Sequence, residues 1–452
     1  MNQSADLGHG SVGKLLFKLA LPAIVAQIIN VLYNMVDRMY IGHIEGIGDV
    51  ALTGVGVTMP IIMAVSAFAA LVSMGSAPRA SIMMGRKKND EAENILGNSF
   101  VLLIVIAIIT TALILIFGWD LLLFFGASEN TVQYGWEYLQ IYAIGTIFVQ
   151  LTLGLNAFIS AQGFSTEAMK TILIGAILNI ILDPIFMFPL NMGVQGAALA
   201  TILSQAVSCV WVILFLCGKK TSLKLRKKYL TLRPAVFLPC IALGLSPFIM
   251  QFTESVITVC FNTSLLKYGG DIAVGAMTIL SSVMQFSMLP LQGMTQGSQP
   301  IVSYNFGAGN LDRVKKAFMY LLVVCMIYST TLWALSIFTP QLFVSIFTDK
   351  PELAAYTQKA LRIYMATSLL FGAQIACQQT FIALGNAKTS VFLAVLRKII
   401  LLIPLIYILP NLFTDQANAV FMAEPVADFI AVCTTVTMFV IYFKRLLTQK
   451  AK

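Results

Sequence analysis

The chain has 452 residues, of which 58% are hydrophobic and only 11% charged, with a mean hydropathy of +0.85. A soluble domain carries about 25% charged residues, so this composition excludes a soluble globular enzyme and points to a bilayer as solvent. The net charge of +9 needs no nucleic-acid partner, because a basic face against anionic membrane lipid accounts for it.

Twelve apolar spans are read in chain order, at 14–42, 50–82, 92–119, 132–162, 165–190, 193–217, 235–268, 271–304, 311–343, 352–384, 387–411 and 417–444. Each exceeds the roughly 20 residues needed to cross about 30 Å of hydrocarbon. The first span has no small-residue cleavage site behind it and is read as a retained helix. Alternate loops, "GRKKNDEAEN", "KKTSLKLRKKYLTLR", "GAGNLDRVKK" and "GNAKTS", together with the tail "KRLLTQKAK", hold nearly all the loop Lys and Arg. The positive-inside rule places these loops and both termini in the cytoplasm.

Little in the chain suggests bond-making chemistry. The seven cysteines form no CxxC pair, and the two histidines, His9 and His43, lie outside the spans. Neither a disulfide framework, a zinc site nor a Cys/His or Ser/His constellation is supported. No G-x-x-x-x-G-K-[ST] motif is present to bind ATP. The expectation is a protein that is not an enzyme and has no cofactor.

The sequence repeats. "GSAPRASIMMGRKKNDEA" from Gly75 aligns with "GSQPIVSYNFGAGNLDRV" from Gly297, an offset of 222 that superposes Gly75, Pro78, Ser81 and Gly85 on Gly297, Pro300, Ser303 and Gly307. Gly163 in "FISAQGF" and Gly385 in "FIALGNA" stand at the same offset, and Pro22 and Pro247 are 225 apart. Ordered matches at one period mean two related halves. Six spans per half is an even number, so the halves enter from the same side, as parallel repeats about an axis along the membrane normal. The expected organisation is an N-terminal lobe at 1–217, a basic cytoplasmic linker at 218–234 and a C-terminal lobe at 235–452.

Polar residues inside the spans mark the candidate sites. In "LNIILDPIFMF", Asn179 and Asp183 are four apart and share a helix face. A charge at that depth costs at least about 2.5–3.5 kcal/mol on insertion scales. Glu254 lies well inside the seventh span. Arg397 with Lys398, and Asp428 with Glu424 one turn before it, reach similar depth in the last two spans, so an Arg397–Asp428 structural ion pair is expected. Pro184 and Pro404 are read as kinks in corresponding helices.

The chain resembles the multidrug and toxic compound extrusion (MATE) transporters, especially the bacterial MepA-type branch. The resemblance covers essentially the whole chain. It rests on "LPAIVAQIINVLYNMVDRMYIGHI", "LTGVGVTMPI", "GSAPRASIMMGRKK", "LNIILDPIFMF" followed by "GVQGAALATILSQ", and then "GSQPIVSYNFGAGN" and "FIALGNAKTS". It implies an all-α membrane fold of twelve helices in two six-helix lobes, in the bacterial inner (cytoplasmic) membrane. It implies a secondary active antiporter that exports organic cations and other amphipathic compounds in exchange for H⁺ or Na⁺ by alternating access. A monomer is expected. It also implies a cation site inside the N-terminal lobe, at positions matching Asp37, Asn179, Asp183 and Thr201. For Asp183 and Asp37 plainer readings stand beside this: a bond to a neighbouring helix, and a side chain reaching outward beside Arg38. Some family members use a Glu at the place of Glu254 with an Asp on the tenth helix as a second cation site. Here the membrane part of the tenth span, "LRIYMATSLLFGAQIACQQTFIAL", has no acid. Glu254 is therefore left as a substrate contact, a second cation site or a hydrogen-bonded packing residue. A lipid or lipid-linked-oligosaccharide flippase of the same superfamily is the alternative function.

Overall fold

The computed structural model describes residues 6–448, and the two ends of the chain, including the last part of the basic tail, lie outside the described residues. Every regular element among the described residues is helical. The N-terminal lobe consists of α1 (Val12–Gly42), α2 (Gly48–Gly85), α3 (Asn89–Phe124), α4 (Val132–Ala161), α5 (Ser165–Met187) and α6 (Gly193–Cys217). The C-terminal lobe begins with α7 (Pro234–Gly307) and α8 (Leu311–Phe338). A short α9 (Gln341–Val344) leads to α10 (Pro351–Tyr364) and α11 (Phe371–Ala383). Then come α12 (Ala387–Val395), α13 (Ile403–Ile408) and α14 (Gln416–Thr448).

Among the described residues, ten helices are long and apolar enough to cross a membrane. The bent pair α10 and α11 adds an eleventh crossing, and a break inside α7 makes a twelfth. At 1.5 Å per residue the 74 residues of α7 would run about 110 Å, several times the hydrocarbon thickness. The chain turns back at Gly270, where φ is 67° and ψ is −164°. That conformation is open essentially only to glycine.

Two expected spans are not single α-helices. The tenth bends by 46° between α10 and α11. No proline causes this. The bend frees backbone carbonyls, and α8 satisfies two of them: Trp333 Nε1 donates to Ala366 O at 3.0 Å, and Ser329 Oγ to Leu369 O at 3.0 Å. The eleventh span changes from α-helix to a π-helical stretch at Leu396–Leu402, ahead of Pro404 in α13. A proline removes one backbone donor, and single-turn π segments often accompany functional sites.

The repeat is visible in three dimensions. Ser81 Oγ donates to Ala161 O at 3.0 Å, and Ser303 Oγ donates to Ala383 O at 2.8 Å. Gly163 and Gly385 both adopt positive φ, 85° and 76°. Where the lobes meet, the contacts are reciprocal: a Cβ on Gly85 would overlap Tyr304 O, and one on Gly307 would overlap Ile82 O. A Cβ on Gly75 would strike the Cys240 backbone, and one on Gly297 the backbone of Ala20. Phe68 and Phe248 add a ring contact at 5.1 Å. These approaches cluster at the end that carries the basic loops. Toward the other end, α1 and α7 leave Leu32, Met35, Met39, Phe252 and Val256 exposed.

The linker at 218–234 is strapped to the N-terminal lobe. Gln162 Oε1 accepts from the backbone N–H of Ser222 and of Leu223, and Leu223 is fully buried. Arg226 pairs with buried Glu93 at 2.7 Å, and the Arg233 N–H donates to Asn98 Oδ1 at 2.7 Å.

Candidate cation and substrate sites

In the N-terminal lobe, α5 presents Asn179 and Asp183 on one face because they are one turn apart. Asn179 Nδ2 donates to Asp183 Oδ1 at 3.0 Å and lies 3.4 Å from Thr201 Oγ1 on α6. On α1, Asp37 is 7% exposed while its neighbour Arg38 faces outward, so the carboxylate does not reach for the surface. Asn179 and Asp183 are 2% and 0% exposed. The carboxyl groups of Asp37 and Asp183 are close enough to influence each other electrostatically. The structure thus brings all four residues together.

Asp37 Oδ1, Asp183 Oδ2 and Asn179 Oδ1 are buried without a hydrogen-bond donor. Three buried acceptors without donors are an unfavourable arrangement that a proton or a small cation relieves. Two carboxylates, an amide oxygen and a hydroxyl make an oxygen-only donor set, which suits hard cations. No cluster of three or more His, Cys, Asp or Glu side chains able to hold a metal ion occurs among the described residues. Tyr33 and Tyr138 also lie in the electrostatic field of the two carboxyl groups. The sequence reading missed both tyrosines. Tyr33 stands four residues before Asp37, the same spacing that drew attention to Asn179 and Asp183.

In the C-terminal lobe the charged residues form one network. Arg397 Nε lies 2.6 Å from Asp428 Oδ1, and Arg397 Nη2 lies 3.7 Å from Glu424 Oε1. The Phe371 ring stands 6.0 Å from the guanidinium carbon. Lys398 Nζ lies 2.9 Å from Glu254 Oε2. The Glu254 side chain is 56% exposed, against 8% for Lys398. Glu254 therefore has an ammonium partner from its own chain, which the sequence reading did not foresee.

The MatE family model matches this chain twice, over residues 22–185 and 247–408. The chain belongs to the MatE family. The two matches fall one in each lobe, at the period of the internal repeat. Among curated relatives, Multidrug export protein MepA of Staphylococcus haemolyticus (strain JCSC1435) is 26% identical, over 97% of this chain and 95% of its own length. MepA of Staphylococcus aureus (strain N315) is 25% identical over 96% and 94%. A solved structure of the MATE multidrug transporter DinF-BH, determined as a complex, is 33% identical. It covers 97% of this chain and 98% of its own, with a TM-score of 0.89. A MATE structure in the bent conformation superposes with a TM-score of 0.91 at 21% identity, covering 98% of each chain. The protein is thus a multi-pass MatE transporter rather than an enzyme.

Proposed function

We propose that this MatE protein is a secondary active multidrug exporter of the bacterial cytoplasmic membrane, which expels amphipathic organic cations in exchange for H⁺ or Na⁺. The observation that carries the coupling is the set of three buried, donorless oxygens on Asp37, Asn179 and Asp183. An unbound pair of carboxylates in a water-poor cavity is costly, and a cation entering from outside relieves that cost. Occupation would draw α1 toward α5 and α6 and alter the wall that the N-terminal lobe presents to the space between the lobes. Ion and substrate would then influence each other by a reciprocal coupling free energy, typically about 1–3 kcal/mol.

Alternating access requires two lobes that can separate. The Gly75, Gly85, Gly297 and Gly307 contacts form a seam with little side chain to disentangle, so opening it costs limited repacking. With the basic loops in the cytoplasm, that seam closes the inner side and the space between the lobes faces outward. The 218–234 strap travels with the N-terminal lobe, and the lobes 1–217 and 235–452 rock against each other.

Reconstitution into proteoliposomes tests this reading. Ethidium transport should follow an imposed Na⁺ or H⁺ gradient and stop when that gradient is dissipated. Gradient-independent scrambling of labelled lipid, with no ethidium transport, would favour a flippase instead.

A further inference from the structure

α1 changes lobes along its length. Its outer half serves the N-terminal lobe, where Ile41 is buried in a core with α2, α4 and α6 and Asp37 joins the cation site. Its inner half serves the C-terminal lobe, where Leu15, Leu16 and Leu19 share a core with α7, α8, α11 and α14. The segment in front of α1 continues on that side, and Leu7 is buried in the same core. Arg313, in the first turn of α8, grips the backbone of this segment. Its Nη1 donates to Gly10 O at 2.7 Å, and its Nη2 donates to His9 O at 3.1 Å and to Leu7 O at 3.3 Å. Asn305, near the end of α7, completes the grip: its Oδ1 accepts from Arg313 Nε at 3.1 Å, and its Nδ2 donates to Leu7 O at 2.8 Å. Gly10 has a φ of 73°, open mainly to glycine, and the turn there lets three carbonyls address one guanidinium. Arg313 has no carboxylate partner among the described residues.

We propose that Arg313, Asn305 and the buried Leu7 form the lock of the inner gate, which holds the foot of α1 on the C-terminal lobe and must open in each transport cycle. The inference rests on the rocking motion of the export reading above and gives that motion a release point. The glycine contacts between the lobes let backbones approach but offer little side chain to hold them together. The grip of Arg313 supplies a directed attachment at the same end of the molecule. Because the outer half of α1 is packed into the N-terminal lobe, parting the lobes on the inner side draws Leu7–Gly10 away from α8. The chemistry suits repeated release. His9 and Gly10 are exposed, so water can take the place of their carbonyls on the guanidinium. Exchanging a carbonyl for water changes the free energy of a hydrogen bond only modestly. A buried carboxylate in the same place would make release strongly unfavourable.

The test reads one distance in the purified full-length protein in lipid nanodiscs, with nitroxides carried on p-acetylphenylalanine so that the native cysteines stay in place. Labels at Asn89 and Lys316, exposed residues in the first turns of α3 and α8, report the separation of the lobes at the inner side. Arg313→Gln should raise the ratio of open to closed protein about tenfold or more, the scale of a hydrogen bond to a charged group. Leu7→Ser should shift the ratio in the same direction. The double variant should open by less than the product of the two single effects, because both act on one lock. Exposed Lys315, beside the lock but outside it, serves as control, and Lys315→Gln should leave the ratio unchanged. A flexible bismaleimide joining cysteines at His9 and Asp312 closes the lock covalently. It should restore the short distance in Arg313→Gln and stop ethidium export from proteoliposomes, while each single-cysteine control still exports after the same treatment. An unchanged ratio in Arg313→Gln, or export that continues in the tethered protein, overturns the lock. If Arg313→Gln is not monodisperse, Leu7→Ser and the tether in the otherwise native chain decide by the same two criteria. A wild type that holds a single Asn89–Lys316 distance with and without ethidium removes the rocking motion and the lock together. A wild type whose lobes open while the tethered protein still exports removes only the lock.

Discussion

Arg397 should be far less dispensable than Asp428, although the two are bonded to each other. Arg397→Gln leaves Glu424 and Asp428, one turn apart on α14 and both buried, with no guanidinium between them. Removing one partner of a buried pair costs about 3–5 kcal/mol, and here two carboxylates lose the same cation. Asp428→Asn does less harm. Arg397 keeps Glu424 at 3.7 Å and the Phe371 ring, and the donorless Asp428 Oδ2 is no longer part of an anion. That change should cost about 1–3 kcal/mol, the range for one imperfectly satisfied buried group. In the Arg397→Gln, Asp428→Asn double variant an amide pair replaces the ion pair, and the loss should fall short of the summed single losses by about 2 kcal/mol. Unfolding by SDS titration in mixed micelles reads all four corners of the cycle. Equal single losses, or a strictly additive double variant, would refute the reasoning.

Three further outcomes follow from the same structure. Gly270→Ala should cost about 1–3 kcal/mol in that titration, because φ of 67° with ψ of −164° strains any residue with a Cβ; an unchanged midpoint would mean the α7 break lies elsewhere. Gly85→Val places side-chain carbon against the Tyr304 carbonyl, so spin-label distances across α2 and α7 should lengthen and transport should fall; unaltered distances would remove the seam from the account. A cysteine introduced at Ser222, which is exposed on the linker, should resist an impermeant thiol reagent added outside intact cells, and ready labelling there would reverse the orientation.

Residues standing alone in hydrocarbon were the most legible features of the sequence. Asn179 and Asp183 declare a shared face by spacing alone, and the structure gives them one hydrogen bond and adds Thr201 from α6. The repeat was legible because close lobe contact demands glycine at Gly75, Gly85, Gly297 and Gly307, where a Cβ meets backbone that cannot yield. Counting residues from each end of a span put Arg397 and Asp428 at similar depth, and they lie 2.6 Å apart. The Lys398–Glu254 bond escaped because Lys398 sits in a π-helical stretch, whose departure from 3.6 residues per turn carries no signature in "LRKIILL". The bend between α10 and α11 escaped for a similar reason. It contains no proline, and its freed carbonyls are satisfied by Trp333 and Ser329 from a different helix.

The claim that Asp37 and Asp183 hold the coupling ion is tested most directly by gradient-driven ethidium export from proteoliposomes carrying Asp37→Asn or Asp183→Asn. Under whichever of the Na⁺ or H⁺ gradients drives the wild type, both variants should fall to the leak rate while remaining monodisperse and still binding ethidium in detergent. Export by both variants at the wild-type rate would contradict the account and move the coupling site out of the N-terminal lobe.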